Sequence, residues 1–75
     1  MKYYRLKLRP DQVLKETAKR GYTIYGLAVK AGISPTHMYN LLAGRRYASP
    51  QTAYRIAKTL GVSTDRIFEV REYPF

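Results

Sequence analysis

The chain contains no cysteine, and His37 is its one histidine. Without thiols it can form neither a disulfide framework nor a zinc site built from cysteine and histidine. A lone histidine cannot supply a catalytic constellation, and the sequence has no phosphate-binding glycine loop and no paired carboxylates beside a nucleophile. We therefore expect no catalytic residues, no metal ligands and no cofactor, and the sequence predicts a protein that is not an enzyme.

Acidic residues are also scarce. Fourteen Lys or Arg residues stand against five Asp or Glu residues, for a formal net charge of +9. Residues 1–46 carry ten basic residues against Asp11 and Glu16, a net charge of +8, whereas residues 47–75 carry a net charge of +1. This excess favours a polyanionic partner, either nucleic acid or an anionic membrane surface.

Long apolar runs are missing as well. No run is long enough to span a membrane and there is no signal peptide, so we expect a cytoplasmic protein without a membrane partner. The 75 residues suffice for one small domain, residues 1–75, with a marginal core. They leave no room for an enzyme cleft of usual size or for a separate effector domain.

The pattern of residues 24–42 predicts two short helices joined by a tight turn. Apolar residues recur at helical spacing from Ile24 to Ala31, and Gly32 follows as a residue that can end the helix in the left-handed conformation. Ser34 can cap a second helix, and Pro35 suits its first position, where a missing N–H costs nothing. The segment therefore predicts a helix-turn-helix, a shape that reads DNA.

The second helix of this pair has two faces of different character. Its expected buried face consists of Met38, Leu41 and Leu42, and its polar, small outer face of Thr36, Tyr39, Asn40 and Ala43. An asparagine amide can bond an adenine edge at two points, and a methyl group can meet the thymine methyl. We predict that Thr36, Tyr39 and Asn40 read base edges; the alternative is a merely solvated face.

A basic turn follows this helix. Gly44 is expected to end the helix, so that Arg45, Arg46 and Tyr47 lie on a turn beside the edge of the groove. Guanidinium groups bond phosphate oxygens well, and the tyrosine hydroxyl adds a donor. The turn therefore predicts phosphate contacts, with a solvated basic loop as the alternative.

Three further helices complete the predicted scaffold. One is expected to run from Pro10 toward Arg20, a fourth to begin at Ser49 and Pro50, and a last short one to follow Ser63. The expected core residues are Val13, Leu14 and Ala18 in the first helix and Ala53, Ile56, Ala57, Leu60, Ile67 and Phe68 in the last two.

The two ends of the chain predict β-strands at residues 2–9 and 68–73, because apolar or aromatic residues alternate there with charged ones. A single strand cannot satisfy its own backbone, so the ends pair either with each other or with those of a second subunit. Glu69 and Glu72 can face the basic N-terminal run in both cases. We expect pairing within the chain, and we interpret the charges of that run as protection of an edge strand against aggregation.

Several fragments, in this order and spacing, resemble a known family. They are Leu27-Ala28, Ala31-Gly32-Ile33-Ser34, Gly44-Arg45-Arg46, Ser49-Pro50, Ile56-Ala57-Lys58 and Leu60-Gly61-Val62-Ser63. Residues 10–68 resemble the helix-turn-helix domain of the Cro and lambda-repressor-like (Xre) family. The resemblance implies an all-α bundle of five short helices whose third helix enters the major groove of double-stranded DNA, as a homodimer on a two-fold operator. It also implies a bacterial or phage protein that is associated with the nucleoid through DNA.

The chain departs from the family's pattern at two positions. Ile24 stands where relatives often carry a glutamine that touches a phosphate, so this contact either comes from Thr23 or Tyr25 or is absent. Pro35 occupies an early position of the recognition helix and has no donor to offer a base. The expected phosphate contacts are then Thr23, Tyr25, Ser34, His37, Arg45, Arg46 and Tyr47.

These observations predict sequence-specific binding to duplex DNA by a transcription regulator, most simply a repressor that acts by occupying its site. Two alternatives stay open. The +9 charge and the eight tyrosines also suit an architectural or excision-type DNA binder of a mobile element. A protein-interaction adaptor could use the same scaffold, with its third helix docked on a protein partner.

Overall fold

The computed structural model of the protein describes residues 2–74, which form five helices and two strands. In chain order these elements are β1 (Lys2–Leu8), α1 (Pro10–Lys19), α2 (Ile24–Ala31), α3 (Pro35–Leu42), α4 (Pro50–Leu60), α5 (Thr64–Ile67) and β2 (Phe68–Pro74). A five-helix bundle with a helix-turn-helix and short terminal strands was predicted, and this fold class is confirmed. Each of these helices is too short or too polar to cross a membrane.

The helices α3 and α4 begin at the Ser-Pro pairs that the sequence indicates. Ser34 Oγ accepts a hydrogen bond from the N–H of His37 at 3.1 Å, and Ser49 Oγ accepts one from the N–H of Thr52 at 3.3 Å. These bonds satisfy N–H groups that have no partner within a helix. Gly32 ends α2 with φ of 72°, where a side chain would be strained. The turn from α2 to α3 is thus determined by local chemistry.

Helix α1 buries a different face from the one predicted. Val13 is buried as expected, but Leu14 is 48% exposed and Ala18 is exposed too. The other buried residues of α1 are Glu16 and Thr17, which lie three and four positions after Val13 and so share its face. The prediction was wrong because it favoured apolar residues over a glutamate, which is buried here among two nearby basic residues and a third, Arg66, that is distant in the sequence.

Glu16 is buried as an ion-paired carboxylate. Its oxygens lie 2.8 Å from Nη1 of Arg20, 3.2 Å from Nη2 of Arg66 and 3.6 Å from Nζ of Lys19. The hydrogen bond from Arg20 lowers the pKa of Glu16 below the ordinary 4.5; burial opposes this shift, and Lys19 and Arg66 reinforce it. Because Arg66 lies in α5, the carboxylate joins the first helix to the last.

The two ends of the chain pair with each other as one antiparallel ribbon, β1 with β2, which confirms the expected pairing within the chain. Leu8 lies opposite Phe68, and both side chains are buried against the helices. Lys2 Nζ lies 3.5 Å from a carboxylate oxygen of Glu72, as the opposite charges suggest. β1 ends at Leu8, one residue before the end of its predicted range, and β2 extends to Pro74, one residue beyond the end of its predicted range.

The other side of β1 contacts the segment that follows α3. The N–H of Leu6 donates to the carbonyl of Ala48 at 2.9 Å, and the N–H of Ala48 donates to the carbonyl of Leu6 at 2.8 Å. The core then joins the ribbon to the helices. Its largest fully buried side chains are Val13, Leu27, Met38, Leu41, Ile56, Leu60, Ile67 and Phe68. Side chains of α3 and of the ribbon thus belong to the same core.

Candidate nucleic-acid interface

Helix α3 is anchored by one face and exposes the other. Met38 and Leu41 are almost completely buried, and Leu42 packs half-buried against the same core. Thr36 and Tyr39 are exposed on the outer side, and half of the Tyr39 surface is accessible. The helix is therefore held firmly while its polar stripe stays open to a partner.

The basic turn after α3 folds back onto the last turn of the helix. The backbone N–H groups of Arg45 and Arg46 both donate to the carbonyl of Asn40, at 3.0 and 3.3 Å. Gly44 precedes them with φ of 76°, a left-handed conformation that reverses the chain at low cost. Both arginine side chains are exposed, so the turn presents two guanidinium groups beside the end of α3.

The side chains of Asn40 and Arg45 are directly linked. Nε of Arg45 donates a hydrogen bond to Oδ1 of Asn40 at 3.1 Å. An amide oxygen has a second lone pair, and the NH₂ group keeps both of its hydrogens for other acceptors. The sequence predicts separate roles for these residues, one on a base and one on a phosphate. The structure links the two side chains, so Arg45 contributes to the orientation of the Asn40 amide.

A shallow concavity of about 790 Å³ opens beside α3. Seven of the predicted contact residues line it, namely Ser34, Thr36, His37, Asn40, Arg45, Arg46 and Tyr47. Four residues that the sequence analysis did not select line it as well, namely Arg5, Ser49, Thr52 and Tyr73. Four separate elements therefore contribute to one surface.

Three of the predicted contact residues lie outside this concavity. Thr23 caps α2, and its Oγ1 accepts a hydrogen bond from the N–H of Gly26 at 2.9 Å. Tyr25 follows on α2 and is 60% exposed, and Tyr39 projects from α3 itself. They are accessible, but the concavity does not gather them with the other seven.

The start of α4 is a part of the surface that sequence reasoning missed. Ser49 was predicted only as a helix cap, and Thr52 was not considered. Ser49 Oγ donates to Oγ1 of Thr52 at 3.1 Å, and both residues line the concavity. The positive end of the α4 dipole thus faces the same space as the cap of α3, which favours an anion. A local cap signal cannot reveal that the starts of two helices line one concavity.

None of the five acidic residues of the chain lines this concavity. Glu16 is buried, Glu69 and Glu72 pair with Arg71 and Lys2, and Asp11 and Asp65 occupy the first turns of α1 and α5. Across residues 2–74, no three His, Asp or Glu side chains lie close enough together to hold a metal ion. The side chains that line the concavity are consequently basic, hydroxyl-bearing or, at Asn40, an amide.

Comparisons with known proteins identify the family and agree with the fold. Residues 14–67 match the family HTH_3, described as helix-turn-helix. The fold is similar to the crystal structure of the clp gene regulator ClgR from C. glutamicum, with a TM-score of 0.66 and 24% sequence identity over 79% of this chain and 77% of that chain. At this sequence identity, the similarity concerns the fold alone. A comparison with curated proteins found no match to the sequence. Because the family match extends from α1 to α5, the chain belongs to the HTH_3 family of helix-turn-helix DNA-binding domains, of the Cro and lambda-repressor-like (Xre) type.

Proposed function

We propose that this protein binds a specific sequence in duplex DNA with α3 in the major groove, and that it regulates transcription by occupying that site, most simply as a repressor. One observation carries the proposal. The exposed stripe of α3 borders a concavity that contains three arginines and no carboxylate among residues 2–74. A base-reading helix flanked by phosphate-binding groups needs this combination of a polar helix face and uniform positive charge.

The base-reading role falls to Thr36, Tyr39 and Asn40. They lie three and four residues apart on α3, so they project from one side of the helix. The major groove is about 12 Å wide and admits a helix in this way. Asn40 suits adenine best, because its NH₂ group can donate to N7 while its oxygen accepts from N6.

The phosphate contacts come from both ends of α3. Ser34 and His37 belong to its first turn, and Arg45, Arg46 and Tyr47 follow its last turn. Two further groups, Thr23 and Tyr25, lie further away, and Tyr25 is more than half exposed. The hydroxyl oxygen of Thr23 accepts the hydrogen bond that caps α2, but its hydrogen can still be donated to a phosphate.

We further propose that two copies pair through the outer edge of β2. Within residues 2–74, β1 is the single strand that pairs with β2, and it lies along the other edge. Leu6 directs both backbone groups toward Ala48, so Val70, directly opposite Leu6, directs its own N–H and C=O away from β1. Two copies with Val70 on the two-fold axis would place Glu69 opposite the partner's Arg71. Such opposite charges favour antiparallel pairing.

Substitution of Val70 tests this pairing. Val70→Pro removes the outward N–H but none of the hydrogen bonds between β1 and β2. Proline is tolerated at such a position of an edge strand. Val70→Lys keeps the N–H and brings two charges together on the axis. We expect both variants to sediment as monomers while a Val70→Thr control sediments as the wild type does. Equal masses for all four proteins would refute the pairing.

The function itself is tested by selection from a random duplex library at about 150 mM salt, since specificity has meaning only at a stated salt concentration. We expect an enriched motif with two inverted half-sites about 34–36 Å apart, one turn of DNA. A single half-site would support base reading by a monomer. Retention without enrichment would favour an architectural binder over a regulator, and no retention would favour a protein adaptor.

A further inference from the structure

The terminal ribbon presents one face toward the concavity. Directly opposite residues of an antiparallel pair project to the same side of the sheet. One side, which we call the basic face, is formed by Tyr3 opposite Tyr73, Arg5 opposite Arg71 and Lys7 opposite Glu69. Its single carboxylate, that of Glu69, lies 3.0 Å from the guanidinium of Arg71. The basic face therefore retains a net positive charge.

The opposite face of the ribbon is different. Leu6, Leu8 and Phe68 are buried in the core, and the exposed charges of Lys2 and Glu72 lie 3.5 Å apart and cancel. The positive charge of the ribbon is thus concentrated on the basic face, while the other face serves packing.

The basic face is continuous with the surface around α3. Arg5 and Tyr73 line the same concavity as Asn40 and Arg45. The ring of Tyr73 lies 6.1 Å from the ring of Tyr47, next to the basic turn. The paired backbone hydrogen bonds between β1 and the residue after Tyr47 tie the ribbon to this turn. The ribbon and α3 therefore border the same concavity and are joined through the basic turn.

Within the fold, Arg5 has a like charge opposite it and an aromatic ring beside it. It lies directly opposite Arg71, and like charges in such a pair repel. Its guanidinium carbon lies 5.6 Å from the centre of the Tyr3 ring, and none of the ion pairs formed within residues 2–73 includes it. At Leu6, the outer edge of β1 is covered by Ala48. Protection of that edge stays a prediction for the charges of the strand.

We propose that the basic face of the ribbon binds DNA phosphates outside the segment that α3 reads, with Arg5 as the cationic contact. This inference rests on the proposed function, since it takes the same duplex as the ligand. A guanidinium fork suits phosphate oxygens, and a phosphate would offset the repulsion between Arg5 and Arg71. The DNA site is then longer than the helix-turn-helix alone requires.

The test compares Arg5→Ala with Lys2→Ala. Each variant removes one positive charge from β1, but from opposite faces of the ribbon, so the effect of net charge is matched. The dissociation constant is measured against salt concentration on the selected site, once in a long duplex and once in a duplex trimmed to the selected bases. We expect Arg5→Ala to lower the salt slope on the long duplex by about 1, and Lys2→Ala to leave it near the wild-type value.

Trimming adds a second readout. Loss of the flanking phosphates should weaken the wild type and Lys2→Ala, but not Arg5→Ala, whose contact is already absent. Arg5→Lys should restore most of the salt slope, and thermal unfolding confirms that each variant is folded. If the wild type binds the selected site while Arg5→Ala and Lys2→Ala behave alike on both duplexes, this inference is overturned and the proposed function stands. If the wild type binds no duplex, both are overturned.

Discussion

The hydrogen bond between Arg45 and Asn40 leads to a prediction that a phosphate contact alone would not. If Arg45 only bound a phosphate, Arg45→Ala would weaken binding to every sequence equally. Because Nε of Arg45 donates to Oδ1 of Asn40 at 3.1 Å, its removal also releases the amide that we assign to adenine. We therefore expect Arg45→Ala to lower both general affinity and specificity.

The magnitudes follow from the contacts that are lost. Asn40→Ala removes a two-point base contact and should cost about 1–3 kcal/mol on the cognate site, or about 5-fold to 150-fold in affinity, with little change on unrelated DNA. Arg45→Ala should lower the salt slope by about 1 on all sequences. The exposed bond between the two side chains is at the weak end of coupled pairs, so we expect a coupling energy of about 0.5–1 kcal/mol.

The assay is a double-mutant cycle of the wild type, both single variants and the double variant, with dissociation constants measured on the cognate site and on unrelated DNA at several salt concentrations. Coupling should occur on the cognate site alone. Additive effects on that site would refute the orienting role of Arg45. An Asn40→Ala variant that weakens both DNAs equally would remove Asn40 from base reading.

Two further predictions concern the scaffold. Leu27→Ala, at a fully buried position, should lower the free energy of unfolding in urea by about 2–5 kcal/mol. The matched Leu14→Ala, at a residue that is 48% exposed, should lower it far less. Equal losses would contradict the observed exposure of Leu14 on the outer face of α1. The pKa of Glu16 lies below 4.5 in the folded protein, so its stabilisation is complete above pH 4.5 and is lost as the pH falls through the folded-state value. The free energy of unfolding of Glu16→Gln should therefore decrease less steeply in acid than that of the wild type. An equally steep decrease would show that Glu16 does not contribute to the acid sensitivity.

Part of the candidate site could be predicted because its residues are close in the chain. The outer stripe of α3 follows from helical spacing, and Arg45 and Arg46 come directly after the helix that they flank. Arg5 and Tyr73 could not be found in this way. They reach the concavity only because the ends of the chain pair, with Tyr3 opposite Tyr73.

The sequence by itself determined where the helices of this protein begin and which face of α3 is exposed. A Ser-Pro cap or a left-handed glycine acts within one turn of chain, so its effect does not depend on the rest of the fold. Only the tertiary structure decided which face of α1 is buried, because it brings Arg66, fifty residues away, to the carboxylate of Glu16 beside the nearby Lys19 and Arg20. It also decided which groups share one basic surface, since charges add where folding brings them together, whatever their separation in sequence.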